Sequence, residues 1–169
     1  MRTLDHLWAP WRQAYLMKTR RSQRGCVFCR ALRSRSDRKV YVLYRGPRTF
    51  IVLNRYPYNN GHLMVALNRH RGELSQLTPD ESTELWRMAM MMVEALKRVL
   101  HPHGFNIGVN VGRAAGAGIP DHLHVHVVPR WVGDTNFITT VGGTKVISAS
   151  LDDLYRRLEP LMPRNADHR

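Results

Sequence analysis

Three histidines alternate with aliphatic residues in the run His122-Leu123-His124-Val125-His126-Val127-Val128. Strict alternation is the period of a half-buried strand, so the three imidazoles share one face and the aliphatic side chains share the other. Successive imidazoles then lie about 6.7 Å apart, from a rise of roughly 3.4 Å per residue. A single histidine on a strand is usually a packed or solvated side chain, but a row of three needs partners for many ring nitrogens. The row therefore predicts a functional site, either a set of metal ligands or a catalytic centre.

Several further segments accompany the row, and they read VLNRYPYNNGHLMV (52–65), GFN (104–106), NVG (110–112) and PRW (129–131). In this order they resemble the histidine triad family of nucleotide hydrolases and transferases. The flanking segments WAPWR (8–12) and GDTNF (133–137) further resemble a bacterial branch that includes diadenosine tetraphosphate phosphorylases. The resemblance implies an enzyme that cleaves dinucleoside polyphosphates or related nucleoside phosphates, and it implies a homodimer.

The resemblance assigns roles by position. His124 would be the nucleophile that attacks the α-phosphate of a nucleotide, and the covalent intermediate would then pass to water or to inorganic phosphate. A neutral imidazole can act in this way when its second nitrogen donates to a fixed acceptor. His126 would stabilise the phosphoryl oxygens, and Asn110 would orient the site.

A second set of residues is implied as the contacts of the nucleotide, and it consists of Asn54, His62, Gly116, Gly118 and Ile119. Without the resemblance, an asparagine before a turn more often forms that turn. Glycines allow the main chain to approach a phosphate closely, although a loop rich in Gly and Ala is a weak signal by itself. This loop reads Ala117-Gly118-Ile119-Pro120, where many family members carry Ser, Thr or Gln, so the phosphate contacts are left to the backbone.

The chain has two cysteines, Cys26 and Cys29, in the spacing Cys-x-x-Cys that supplies half of a tetrahedral zinc site. A redox pair of the thioredoxin type is less favoured because no βαβ pattern follows, and two small core residues are the remaining alternative. Zinc-bearing relatives of the resembled family complete such a pair with two histidines, which here match His70 and His122. Four protein ligands leave no open position, so the resemblance implies a structural zinc.

The pattern of elements predicts one α+β domain with a sheet of about five antiparallel strands, one long helix and a C-terminal helix. Strands are expected over 40–44, 49–53, 62–67, 105–111, the histidine row and a short segment at 145–147. Thr78-Pro79-Asp80-Glu81 predicts the start of the long helix, which stops at Pro102, and a second helix is expected over 151–161. We divide the chain into a basic arm (1–39), a catalytic core (40–131) and an extension (132–169).

The 169 residues carry 26 Lys and Arg against 13 Asp and Glu, a formal charge of +13. This charge suits phosphorylated substrates. It leaves open a nucleic-acid-binding module as a less favoured alternative, although a charged run is more often solvated. A nucleotide-binding sensor with little catalysis is the third alternative. No apolar run approaches the length of a membrane span or of a secretory signal, so we expect a cytoplasmic protein without a membrane partner.

Overall fold

The computed structural model describes residues 25–135, 141 and 149–163 of the chain. The strands in these residues are β1 (Val42–Arg45), β2 (Thr49–Leu53), β3 (Leu63–Leu67), β4 (Gly104–Val109) and β5 (His124–Arg130). They form one sheet in the order β1-β2-β3-β5-β4, and each neighbouring pair is antiparallel. The predicted α+β class and antiparallel sheet are confirmed. The predicted strand at 145–147 and the segment at 8–12 lie outside the described residues.

The end of the predicted basic arm folds against the sheet as two short helices, α1 (Val27–Arg33) and α2 (Asp37–Val40). The first strand starts at Val42, two residues later than expected, because Tyr41 adopts a left-handed conformation (φ 58°). Its N–H donates to the Arg38 carbonyl at 3.3 Å and so closes α2. The turn that ends α2 thus replaces the beginning of the expected strand.

The long helix α3 (Pro79–Leu100) begins and ends as the sequence predicts. The Thr78 hydroxyl accepts from the Glu81 N–H at 3.2 Å, while the Glu81 carboxylate accepts from the Thr78 N–H at 2.9 Å. The helix ends at His101, which is left-handed (φ 49°) and precedes Pro102. Its apolar stripe, which includes Leu85, Met88, Met92 and Leu96, packs into the main core.

The two faces of the sheet have different covers. Residues paired across antiparallel strands point to the same face, and Ala66 pairs with His124 while Met64 pairs with His126. That face carries a smaller apolar cluster around Phe28 of α1. The opposite face carries Val125 and its aliphatic neighbours, which pack with α3. The alternation therefore places the histidines on the α1 side, as a row beneath Phe28.

The C-terminal helix α4 (Leu151–Leu158) is shorter than predicted and continues as a 3-10 turn over Glu159–Leu161. Pro160 has no N–H to donate to the preceding turn of an α-helix, which explains the change. Leu154 and Leu158 are buried against the main core. Among the described residues, no helix combines the length and the apolar character needed to cross a bilayer.

Candidate active site and metal centre

The middle histidine of the row is held as a neutral imidazole. His124 is 5% exposed, and its Nδ1 lies 2.8 Å from the main-chain carbonyl oxygen of His122. A carbonyl only accepts, so Nδ1 carries the proton and Nε2 keeps its lone pair. Burial lowers the pKa of His124, which maintains the uncharged form. These are the tautomer and the charge state that attack on phosphorus requires.

His126 is oriented by a second imidazole behind it. The N–H of Tyr58 donates to Nδ1 of His62 at 3.0 Å, so the proton of His62 is on Nε2. Nε2 lies 2.9 Å from Nδ1 of His126 and donates to it, which leaves the proton of His126 on its own Nε2. His126 is therefore a hydrogen-bond donor at its remaining nitrogen, which suits the predicted contact with phosphoryl oxygens.

His62 lies in the interior and not at the site surface. It is 0% exposed, and burial, followed by the charges of His126 and His124, lowers its pKa to about 3. Gly61 fixes the chain just before it: its φ is 77°, and a Cβ there would lie 2.5 Å from Cδ1 of Leu100. The predicted contact of His62 with the nucleotide stays a prediction.

Asn54 is both a turn former and a neighbour of the buried imidazole. Its Oδ1 accepts from the N–H of Tyr56 at 2.9 Å, which is the Asx turn that a residue in this place favours. Its Nδ2 lies 3.2 Å from Nδ1 of His62. The predicted contact with a ribose hydroxyl stays a prediction. Asn110 directly follows β4, and because Val109 pairs with Val125, it comes at the level of His124 in the register.

The glycine-rich loop uses part of its backbone for its own turn. The Gly116 N–H donates to the Arg113 carbonyl at 3.0 Å, and the Ala117 N–H donates to the Gly112 carbonyl at 3.3 Å. Gly116 (φ 87°) is therefore required for the conformation of the turn, and its N–H is not a free phosphate donor as predicted. The contacts predicted for Gly118 and Ile119 stay predictions.

The four predicted metal ligands, Cys26, Cys29, His70 and His122, come together in space, with their ligand atoms all within 4.8 Å of one another. Nδ1 of His122 lies 3.3 Å from Sγ of Cys26, 3.6 Å from Sγ of Cys29 and 3.3 Å from Nδ1 of His70. A tetrahedral zinc with bonds of about 2.3 Å to sulfur and about 2.05 Å to nitrogen separates its ligands by about 3.3 to 3.8 Å. The donor set and the three distances from His122 fit that ion.

The proton of His122 is also placed for metal binding. Its Nε2 donates to the carbonyl of Leu67 at 2.7 Å, so Nδ1 is unprotonated and points at the two sulfurs. A backbone acceptor behind a ligating imidazole is the usual arrangement at metal centres in proteins. The side chain of His122 therefore points at the other three candidate ligands, while its carbonyl accepts the hydrogen bond from His124.

Hydrogen bonds join the end of β5 to the turn that leads to His62. The Asp134 carboxylate accepts two hydrogen bonds from Arg130, at 2.7 and 2.8 Å, and one from Nδ2 of Asn59 at 2.7 Å. Nδ2 of Asn59 also lies 2.9 Å from the Pro129 carbonyl. In the sequence, these residues stand out only as members of the segments that resemble the histidine triad family. The pair Asn59-Asn60 directly before Gly61-His62 was the signal that the sequence offered.

Two aromatic rings beside the histidines were missed as well. Phe28 lies between the two cysteines, with its ring centroid 5.0 Å from that of His122 and 4.8 Å from that of His124. Tyr58, which is 47% exposed, lies 4.5 Å from His62 and 5.6 Å from His126 by the same measure. The sequence shows an aromatic residue at each place, but it does not show which imidazole each ring would contact.

Comparisons with known proteins agree with this geometry. Residues 35–132 match the HIT domain family. A protein of Mycobacterium tuberculosis named AP-4-A phosphorylase is 44% identical over 161 residues, which are 92% of this chain and 83% of that protein. The asymmetrical bis(5'-nucleosyl)-tetraphosphatase of Schizosaccharomyces pombe is 33% identical over 93 residues, covering 55% of this chain and 50% of the relative.

A solved structure shares the fold. It is a zinc-bound histidine triad family protein from Mycobacterium smegmatis, which superposes with a TM-score of 0.66 at 25% sequence identity. The superposition covers 81% of this chain and 92% of the other.

Proposed function

The chain belongs to the HIT domain family, and from this premise we propose that it cleaves dinucleoside polyphosphates through a nucleotidyl-histidine intermediate. The observation that carries the proposal is the hydrogen bond from Nδ1 of His124 to the His122 carbonyl, since it fixes a neutral imidazole with a free lone pair on Nε2. The named relatives, a phosphorylase and a tetraphosphatase, support the same class of substrate.

In the first step, Nε2 of His124 attacks the α-phosphorus of one nucleoside. A phosphorus–nitrogen bond forms, the bridging phosphorus–oxygen bond breaks, and from diadenosine tetraphosphate the leaving group is ATP. The Nε2–H of His126 donates to a phosphoryl oxygen as negative charge grows there. Because the acceptor on Nδ1 of His124 is a main-chain carbonyl, the attacking ring is oriented before the substrate arrives.

In the second step an acceptor displaces His124 from phosphorus. Inorganic phosphate gives ADP, and water gives AMP. We propose phosphate as the physiological acceptor, which the extensive similarity to a phosphorylase supports. Incubation with diadenosine tetraphosphate, with and without inorganic phosphate, tests this: ADP plus ATP that depend on phosphate would support phosphorolysis, whereas AMP plus ATP at the same rate in both conditions would contradict it.

The covalent step has its own test in His124→Ala. We expect turnover to be abolished while nucleotide affinity, measured by calorimetry, is retained. His101→Asn removes an exposed imidazole from the end of α3, at a left-handed position that asparagine tolerates, and it is the matched control. Undiminished turnover in the His124 variant would exclude the covalent mechanism.

We further propose that the four-residue centre holds zinc and that its role is structural. When bound, the ion would tie the start of α1, through the two cysteines, to His70 and to the end of the loop before β5. Four protein ligands leave no coordination position for a nucleotide. Atomic emission of the purified protein should give about one zinc per chain, and a folded protein prepared without metal and without loss of stability would contradict the assignment.

We propose that the protein is a cytoplasmic homodimer. The strand β4 is at one edge of the sheet with Ile107 42% exposed, and α3 exposes Trp86 and Met90. An unpaired strand edge and exposed apolar side chains of this kind favour contact with a second copy of the chain. Light scattering should give twice the 19.6 kDa mass of the chain, and Ile107→Lys should reduce it, while Val132→Lys on an exposed loop should not. A monomeric wild-type protein would refute the dimer.

A further inference from the structure

Phe28 connects the metal centre to the nucleophile. It lies between Cys26 and Cys29 in sequence, and it is 1% exposed. Its ring is inclined by 50° to the imidazoles of both His122 and His124, with centroid distances of 5.0 and 4.8 Å. One buried ring therefore contacts both a predicted metal ligand and the attacking group.

The His124 ring needs such a contact, because its hydrogen bond holds the ring only at Nδ1. The bond from Nδ1 of His124 to the His122 carbonyl still permits the ring to tilt about the N–H···O direction. The His126 ring approaches the His124 ring with centroids 4.7 Å apart and planes at 71°, which is an edge contact. Phe28 supplies a further contact and restricts the tilt. Attack on phosphorus depends on the direction in which the lone pair of Nε2 points, and small misplacements of a reacting group reduce rates strongly.

Phe28 is itself held by tertiary contacts, because α1 has seven residues and is too short to be stable alone. The Arg45 guanidinium donates to the carbonyls of Leu32 and Ala31 at 2.8 and 2.9 Å and so secures the end of the helix. At the other end, Cys26 and Cys29 place their sulfurs 3.3 and 3.6 Å from Nδ1 of His122, where a bound metal would anchor the helix. The position of the Phe28 ring is thus determined between these two anchors.

We propose that Phe28 is a positioning residue for His124, through which the Cys26, Cys29, His70 and His122 centre controls the rate of nucleotidyl transfer as well as stability. The proposal rests on the function proposed above. A metal with a structural role alone would change the fraction of folded protein and leave the rate per folded molecule unchanged. The proposed centre changes that rate as well.

Phe28→Leu is the test, since leucine keeps the burial and removes the flat ring. Phe50→Leu is the matched control, because Phe50 is equally buried and pairs edge-on with Phe28 at 6.0 Å, but among the described ring contacts it touches no imidazole. We expect kcat of the Phe28 variant to fall by about 10- to 100-fold with KM changed by less than about twofold. Bound zinc should stay at the wild-type level, and the control should lose thermal stability with kcat retained.

Three results would overturn the proposal: an unchanged kcat, an equal fall in both variants, or a rise in KM alone, which would assign Phe28 to substrate binding. If Phe28→Leu does not fold, Phe28→Met tests the same point with a flexible side chain of similar volume.

Long-range proton–nitrogen NMR of the imidazoles gives a readout without turnover. The wild type should show one ordered His124 ring protonated on Nδ1, and the Phe28 variant should show the same tautomer with lines broadened by motion of the ring. This readout stands even if His124→Ala shows that the covalent mechanism is wrong.

Discussion

The buried His62 and His126 pair makes the stability of the fold depend on pH below neutrality, and burial of His122 and His124 acts in the same direction. Burial, ahead of the neighbouring imidazole charges, lowers the pKa of His62 to about 3 and that of His126 to about 4. In the unfolded chain both titrate near the ordinary value of about 6.5. As the pH falls below that value, the unfolded state binds protons that the folded state does not, so the free energy of unfolding decreases. Each imidazole contributes a loss of about 2 kcal/mol between pH 7 and pH 5.

Urea unfolding followed by circular dichroism at the two pH values measures this loss. The matched variant is His62→Gln, because an amide can accept from the Tyr58 N–H and donate to His126 without titrating. We expect it to lose about 2 kcal/mol less than the wild type. The titration of Glu81 does not affect the comparison between pH 7 and pH 5. Arg69 lowers the pKa of Glu81 to about 2, so the stabilisation from this carboxylate is lost only as the pH falls below about 4.5. Parallel losses in both proteins would refute the buried neutral pair.

Three further variants test single contacts. His122→Ala should lose bound zinc, measured by atomic emission, and should melt at a lower temperature, whereas His124→Ala should retain the zinc; equal zinc in the two would contradict the ligand assignment. Thr78→Ala removes the N-cap of α3 and should lower the free energy of unfolding by about 1 kcal/mol, and Thr78→Ser is the control that keeps the oxygen. Glu84→Leu leaves the N–H and hydroxyl of Thr49, both 2.9 Å from its carboxylate, without an acceptor. It should cost about 3 kcal/mol in urea unfolding, and a loss no larger than that of Glu84→Gln would refute the argument.

The features that the sequence predicted best depend on periodicity and on local hydrogen bonding. Alternation alone places His124 and His126 on one face, because the period of a strand is two. The capping box at Thr78 and Glu81 and the stop at Pro102 define α3, because each acts within a few residues of itself. The antiparallel order of the first strands follows from links that are too short for a crossover.

The features that the sequence did not reveal are of two kinds, namely contacts between distant segments and local turns that the residue types do not indicate. Phe28 and His124 are far apart in sequence and meet only because α1 covers the histidine face of the sheet. Tyr41 ends α2 in a left-handed turn closed by its N–H, although its β-branched and aromatic neighbours favour a strand. Gly116 was interpreted as a phosphate donor because the sequence does not reveal that its N–H already has an acceptor.

The three imidazoles of the row differ in chemistry only because each has a different partner. His122 donates to the Leu67 carbonyl and so offers Nδ1 to a metal, and His124 donates to the His122 carbonyl and so offers the lone pair on Nε2. His126 accepts from His62 and so offers a proton on Nε2. The first two partners are main-chain carbonyls, which no substitution can remove while the strand register holds. The third is a side chain. A residue at position 62 that cannot donate, as in His62→Leu, therefore releases the proton of His126 from Nε2, while the tautomer of His124 stays fixed by the backbone. A fall in kcat that His62→Leu shows and His62→Gln does not share would report on the proton that His126 offers to the phosphoryl group.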